Sequence, residues 1–191
     1  MRNHIVITGT GRAGTTFLVE LLTHLNFDTG FTPEDIPKWK DKRCNAGLEH
    51  NLRRDDAPYI VKDPTFCEYV DEILANPGIE IDCVYVPIRK LEDAAESRRR
   101  NHKKGYLAGG LWGTKNPEEQ ERILMEKLYN LLFCLSSSDI PVVLLQYPLM
   151  IKDRKYLEDK LFDVLYSRKK VIMPDEFARA LLKAVDYGQL E

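Results

Sequence analysis

Short apolar runs alternate along the chain with amphipathic stretches of helical length. His4–Thr8, Tyr59–Val61 leading into Lys62, and Ile81–Ile88 are β-branched and almost continuously apolar. Such runs suit strands buried on both faces of a parallel sheet. Val142–Gln146, between Pro141 and Pro148, reads as a fourth. Thr15–Leu25 places Phe17, Leu18, Leu21, Leu22 and Leu25 at helical spacing. Glu68–Leu74, Leu91–His102, Pro117–Leu135, Tyr156–Tyr166 and Asp175–Val185 read as further helices. Pro117 suits a first turn, where Glu118, Glu119 and Glu121 complement the positive helix end, and Asp175 suits an N-cap. Strands alternating with helices predict an α/β three-layer sandwich, a parallel sheet covered on both faces. Phe31–Pro58 and Lys103–Asn116 resist assignment and read as long loops. In an open α/β sheet, loops at the carboxyl ends of the strands are where ligands bind.

Composition narrows the class without naming a chemistry. The 191 residues are 43% hydrophobic and 30% charged, which excludes a disordered chain and a small disulfide scaffold. They carry no repeat, low-complexity tract or long linker, so one domain over residues 1–191 is expected. No apolar run is long enough to span a bilayer. The segment Met1–Thr8 meets a glycine-rich turn before a signal-like stretch develops. Cys44, Cys67, Cys83 and Cys134 have neither C-x-x-C nor zinc-type spacing, so a reduced, cytoplasmic chain is expected. With 28 Lys+Arg against 30 Asp+Glu, the net charge of −2 offers no global attraction to nucleic acid or to an acidic membrane. Any anion site has to be local.

Gly9-Thr10-Gly11-Arg12-Ala13-Gly14-Thr15-Thr16 is the local arrangement that answers this requirement. It lies directly after the first strand and directly before the first helix, the context that distinguishes a phosphate loop from a chance glycine cluster. Glycines let consecutive N–H groups curl around an anion, and the helix adds its positive dipole end. A bare strand-to-helix turn is the plain alternative. The spacing matches G-x-x-x-x-G-K-[ST], except that Thr15 stands where a kinase carries the lysine that bridges terminal phosphates. The loop's cation is Arg12 instead.

Two further motifs end strands. Val84-Tyr85-Val86-Pro87-Ile88-Arg89 is followed, eight residues after the arginine, by Ser97 on the next helix, with Asp93-Ala94-Ala95 between. Tyr59-Ile60-Val61-Lys62-Asp63-Pro64 ends the second strand. Together with Gly11–Leu18, these resemble the sulfotransferase family. Its phosphosulfate loop has a lysine or arginine, a small residue and then Gly-Thr-Thr. The resemblance covers roughly residues 4–100 and implies 3′-phosphoadenosine 5′-phosphosulfate as donor. It implies donor contacts from Gly9, Thr10, Gly11, Arg12, Ala13, Gly14, Thr15 and Thr16, with Arg89 and Ser97 on the 3′-phosphate. Thr65 stands where many relatives have an arginine after the proline. The basic closing loop of cytosolic members is not evident, although Ser167-Arg168-Lys169-Lys170 would be a substitute or a solvated charge run.

Sulfuryl transfer needs charge neutralisation and in-line positioning, and no metal is expected. Arg12 is the candidate clamp, and Lys62 either reaches the same sulfate or pairs with Asp63. The acceptor also needs a base. Bacterial members place a glutamate after the first helix, and Phe27–Asp35 looks similar, which makes Glu34 the first choice with Asp35 and Asp63 behind it. Arg98-Arg99-Arg100-Asn101-His102-Lys103-Lys104 reads as a solvated helix end whose cations complement the dipole, or as a source of field around the donor. The expected acceptor is a hydroxyl or amine of a small molecule or glycan, with Tyr106, Leu107, Leu111 and Trp112 as a partly apolar lid. No nucleic acid and no membrane is expected as partner. A P-loop nucleotide or small-molecule kinase is the alternative, and a non-catalytic protein that binds a phosphorylated ligand is a third.

Overall fold

The computed structural model describes residues 2–166 and 172–185. Ser167-Arg168-Lys169-Lys170 lies outside the described residues. In chain order the elements are β1 (Arg2–Ile7), α1 (Thr15–His24), α2 (Ile36–Trp39), β2 (Lys40–Asp41), β3 (Ala46–Gly47), β4 (Ile60–Lys62), α3 (Val70–Leu74), β5 (Ile79–Ile88), α4 (Leu91–Lys103), α5 (Gln120–Leu135), β6 (Val142–Gln146), α6 (Leu149–Lys152), α7 (Arg154–Tyr166) and α8 (Pro174–Ala184).

Four strands pair in parallel in the order β4-β1-β5-β6. Side chains along β1 alternate between faces, and both faces are dry. Ile5 and Ile7 join a core with Leu18, Leu21 and Leu22 of α1, Leu157 and Leu161 of α7 and Phe177 of α8. Val6 joins a second core on the other face with Val61, Val84 and Val86, Val70 of α3 and Leu131 of α5. The three-layer α/β sandwich is the observed architecture.

The strands also bring one residue each to a common edge. From β4 the chain crosses to the far side of β1 to form β5, so strand order reverses at β1. A crevice forms at such a reversal, outside the carboxyl ends. The glycine loop follows β1, Lys62 ends β4, Arg89 follows β5 and Tyr147 follows β6.

Some boundaries differ from the sequence reading. The second strand is shifted by one residue and takes in Lys62, whose Cα partner is Ile7 of β1. Phe31–Pro58 is not a plain loop, since it contains α2 and the β2–β3 hairpin. Both elements are too short to show a period. Pro117–Glu119 is a 3₁₀ turn ahead of α5, where Asn116 Oδ1 accepts the Glu118 N–H at 3.1 Å.

Asp63 fixes the exit of β4. Its buried carboxylate accepts the Leu52 N–H at 3.3 Å, the Thr65 N–H at 2.9 Å and the Thr65 hydroxyl at 2.7 Å. The Tyr69 hydroxyl donates to it as well. Burial and Asp63 hold the Tyr69 phenol well above its ordinary pKa. A carboxylate saturated by structural donors is spent as a base, which removes Asp63 from the candidates. Replacing it strands several buried donors, each worth about 1–3 kcal/mol. Asp63→Ala is expected to destabilise by about 3 kcal/mol, a fall of roughly 6–12 °C in melting temperature for a chain of this size. Thermal unfolding followed by circular dichroism checks this.

Candidate functional site

After β1 the backbone turns through left-handed conformations at Gly11 (φ 65°), Arg12 (φ 57°) and Gly14 (φ 89°). For a non-glycine residue this costs about 1–2 kcal/mol, so Arg12 must be held there. Its carbonyl accepts Arg89 Nη1 at 3.3 Å, and its own Nε donates to Ser97 Oγ at 3.1 Å. Its Nη1 donates to the Cys44 carbonyl of the hairpin. Gly14 then N-caps α1 with no side-chain acceptor, and no acid stands in the first turn. The positive end of α1, with Thr15 and Thr16 buried, opens on a cavity without a side-chain cap among the described residues.

Arg98 props the loop from behind. Its guanidinium is buried and donates to the Thr10 carbonyl at 2.8 Å and to the Gly110 carbonyl at 2.7 Å. Its Nε has no partner among the described residues. Burial lowers its pKa to about 10, with Arg12 adding to the effect, so it remains a cation at neutral pH. A Cβ added at Gly11 would lie 2.5 Å from Arg98 Nη2, so this glycine serves both the turn and the close approach.

Lys62 comes in from β4. Its buried Nζ donates to Thr16 Oγ1 at 2.9 Å, to the Gly47 carbonyl at 2.6 Å and to Glu49 Oε1 at 3.0 Å. Burial pushes its pKa down while Glu49 pulls it back up. Of the two readings from sequence, the geometry favours the cavity over Asp63. Glu20, four residues beyond Thr16 on the same face of α1, is buried and pairs with Lys40 at 2.7 Å.

These groups surround one cavity of about 660 Å³, within the ordinary range for small-molecule sites. Among the described residues, Arg12, Lys40, Arg43, Lys62, Arg89, Arg98, Arg100 and Lys104 face it, against two carboxylates, Glu20 and Glu49. A chain with nearly balanced charge therefore concentrates a strong positive field at one point. Apolar surface comes from Phe17, Leu107, Leu111, Trp112 and Ile151.

No family model and no curated protein matches the chain. Solved structures do. The sulfotransferase domain from the curacin biosynthetic pathway aligns with a TM-score of 0.55 over 94% of this chain and 78% of its own, at 14% identity. The sulfotransferase domain from the Synechococcus PCC 7002 olefin synthase aligns with a TM-score of 0.53 over 96% and 77%, at 16% identity. The chain has a sulfotransferase-like fold. At these identities the likeness speaks for architecture, and the site speaks for chemistry.

Of the residues singled out from sequence, Gly11, Arg12, Gly14, Thr15, Thr16, Lys62, Arg89 and Ser97 all line the cavity. Gly9, Thr10 and Ala13 form the back of the loop and do not reach it. Glu34 requires correction. It is solvent-exposed and does not line the cavity; its charge acts on His24, at the end of α1 opposite to the one that meets the cavity. Asp35 accepts the Thr32 N–H and hydroxyl and the Lys38 ammonium, a local turn role at the surface.

Three cavity-lining side chains, Glu20, Arg98 and Asn101, escaped the sequence reading as members of the site. Glu20 is the one acid in the stretch Thr15–Leu25, and its offset from Thr16 was the available signal. Arg98 and Asn101 continue the buried face of Ala94 and Ala95 by steps of three and four. Reading 98–104 as one charge run hid that periodicity.

Gly11→Ala and Gly105→Ala separate steric fit from backbone strain, since both glycines have positive φ but nothing lies within 4 Å of a Cβ at Gly105. Gly105→Ala is expected to lower stability by about 1 kcal/mol with ligand binding unchanged. Gly11→Ala must also displace a guanidinium fastened to two carbonyls, and should cost more than twice as much. Paired thermal melts with and without 3′,5′-diphosphoadenosine measure both effects.

Proposed function

We propose that this chain is a sulfotransferase that uses 3′-phosphoadenosine 5′-phosphosulfate and modifies a hydroxyl or amine of a small molecule or glycan. The observation that carries the reading is convergence. Three strand ends and α4 deliver Arg12, Lys62, Arg89 and Ser97 to one cavity, at the uncapped N-terminus of α1. A glycine cradle too tight for a side chain, a buried arginine with an unpartnered Nε and an excess of cations all suit a polyanionic nucleotide. The fold shared with two sulfotransferase domains supports the same class.

When bound, the donor supplies a sulfuryl group whose sulfur–oxygen bond to the 5′-phosphate breaks as the acceptor atom bonds to sulfur. The loop N–H groups and the start of α1 would hold the 5′ end. Lys62 Nζ, against Thr16 Oγ1, stands where it would neutralise charge growing on the transferred oxygens. Arg12 leans towards Ser97 and so towards the phosphate corner, giving up its hairpin carbonyl contacts when an anion competes for it. The acceptor proton would pass to a carboxylate that faces the cavity, and Glu20 and Glu49 are the two among the described residues. Glu20 is held by Lys40, whereas Glu49 is half-exposed and shares Lys62.

Calorimetric titration tests the donor class. Wild-type protein should bind 3′,5′-diphosphoadenosine at least tenfold more tightly than 5′-AMP, and tighter binding of ATP with Mg²⁺ would overturn the reading in favour of a kinase. The catalytic cation has its own test, because stabilisation confined to the transition state lowers turnover without weakening product binding. Lys62→Met should reduce kcat about a hundredfold or more in a transfer assay from radiolabelled donor. Its affinity for 3′,5′-diphosphoadenosine should change by less than about threefold.

A further inference from the structure

The β2–β3 hairpin stands on a firm root and carries a tip that is held differently. Ile36 before it and Leu48 after it are buried in the core that α1 packs into, and Lys40 pairs with Glu20 of α1 at 2.7 Å. The tip, residues 42–47, meets the rest of the protein through backbone oxygens and one arginine. Arg12 Nη1 donates to the Cys44 carbonyl and lies 3.5 Å from the Asn45 carbonyl. Lys62 Nζ donates to the Gly47 carbonyl at 2.6 Å. Arg43, clamped by both carboxylate oxygens of Asp41, sets its guanidinium 5.1 Å from the centre of the Tyr106 ring, on the glycine-rich segment after α4.

This conformation of the tip is costly for its own backbone. Two paired residues per strand make a marginal hairpin. Asn45 (φ 47°), Gly47 (φ 110°) and Leu48 (φ 57°) all have positive φ, which the two non-glycine residues disfavour. Asn45 Oδ1 is buried with no hydrogen-bond partner among the described residues. What holds the tip down is the need of Arg12 and Lys62 for acceptors in a desolvated place. A carbonyl oxygen offers them a partial charge, whereas a phosphate or sulfate oxygen is anionic and makes the stronger, charge-assisted bond. An anion that reaches these two cations therefore displaces the carbonyls, and the strained tip is free to relax outward.

We propose that the β2–β3 hairpin is an anion-released strap, whose tip competes with an anionic ligand for Arg12 and Lys62 and lifts when the ligand takes them. The proposal rests on the donor reading given above for its choice of ligand. Competition of this kind lowers the apparent affinity, because only the open fraction is competent to bind. Loosening the tip should therefore tighten binding, the opposite of what damage to a site does.

Cys44 reports where the tip lies. It is 2% exposed, and burial raises its pKa, so its thiol is protected as long as the tip is down. The experiment compares wild type with Tyr106→Leu, which removes the ring facing Arg43 at a position outside the cavity lining. Each is labelled with N-ethylmaleimide, with and without saturating 3′,5′-diphosphoadenosine, and peptide mass spectrometry follows each cysteine. Calorimetry on the same samples gives the affinity. Bound nucleotide should speed Cys44 labelling about tenfold or more, while Cys67 and Cys134, buried in the core on the other face of the sheet, stay unchanged. Tyr106→Leu should label faster at Cys44 without ligand and bind 3′,5′-diphosphoadenosine about two- to fivefold more tightly, the worth of one exposed cation–π contact. Bound nucleotide that slows Cys44 labelling or leaves it unchanged, as a rigid wall would, overturns the strap and leaves the donor reading standing. Weaker binding by Tyr106→Leu does the same. Wild-type protein that fails to bind 3′,5′-diphosphoadenosine overturns the donor reading and the strap together.

Discussion

Arg98 is where the site and the fold are joined. A glycine-rich loop has few side chains with which to hold its own shape, and this one puts a non-glycine residue, Arg12, in a left-handed conformation. The Arg98 guanidinium supplies a rigid fork that binds the Thr10 carbonyl on one side and the Gly110 carbonyl on the other. One buried charge thereby fastens the loop after β1 to α4 and to the glycine-rich segment after it. Burying a cation is expensive, and two carbonyl dipoles offset only part of that cost. The bent loop depends on this contact, and the anion cradle depends on the bent loop.

The same economy runs through the rest of the cavity. Three of the cations that reach it are tethered by something local: Lys62 by Thr16, Gly47 and Glu49, Lys40 by Glu20, and Arg12 by Ser97 and the hairpin carbonyl of Cys44. Pairing and carbonyl contacts keep so many like charges tolerable in a folded chain, and they pre-position the groups at little reorganisation cost. The hairpin is part of this arrangement. It packs over the site and offers backbone oxygens where an anionic ligand would offer its own.

Much of this could be read without coordinates where the signal was local. The alternation of β-branched runs with amphipathic stretches reports burial directly, because side chains in a doubly covered sheet have no solvent-facing side. Gly9–Thr16 was legible because strand, glycines and helix are contiguous in sequence. Arg89 and Ser97 were singled out by the resemblance to the family's spacing, and the regular geometry of a strand end followed by helical turns brings both to one cavity. Glu34 failed for the complementary reason. Its assignment depended on the path of residues 26–50, an irregular segment with two very short strands and one short helix, and such a path leaves no period to follow.

The sequence by itself determined the layer architecture and the glycine turn between the first strand and the first helix, because these follow from periodicity and from backbone chemistry within short windows. Only the tertiary structure decided how the charges divide. It turned Arg98 inward and Arg99 outward, set Arg100 and Lys104 at the edge of the cavity, and brought Glu20 and Glu49 into it while leaving Glu34 outside. Charge on a side chain is written in the sequence, but its direction is not. Which face of α4 meets the loop depends on packing against α5 and on where β1 and β5 end, and those contacts join residues far apart along the chain.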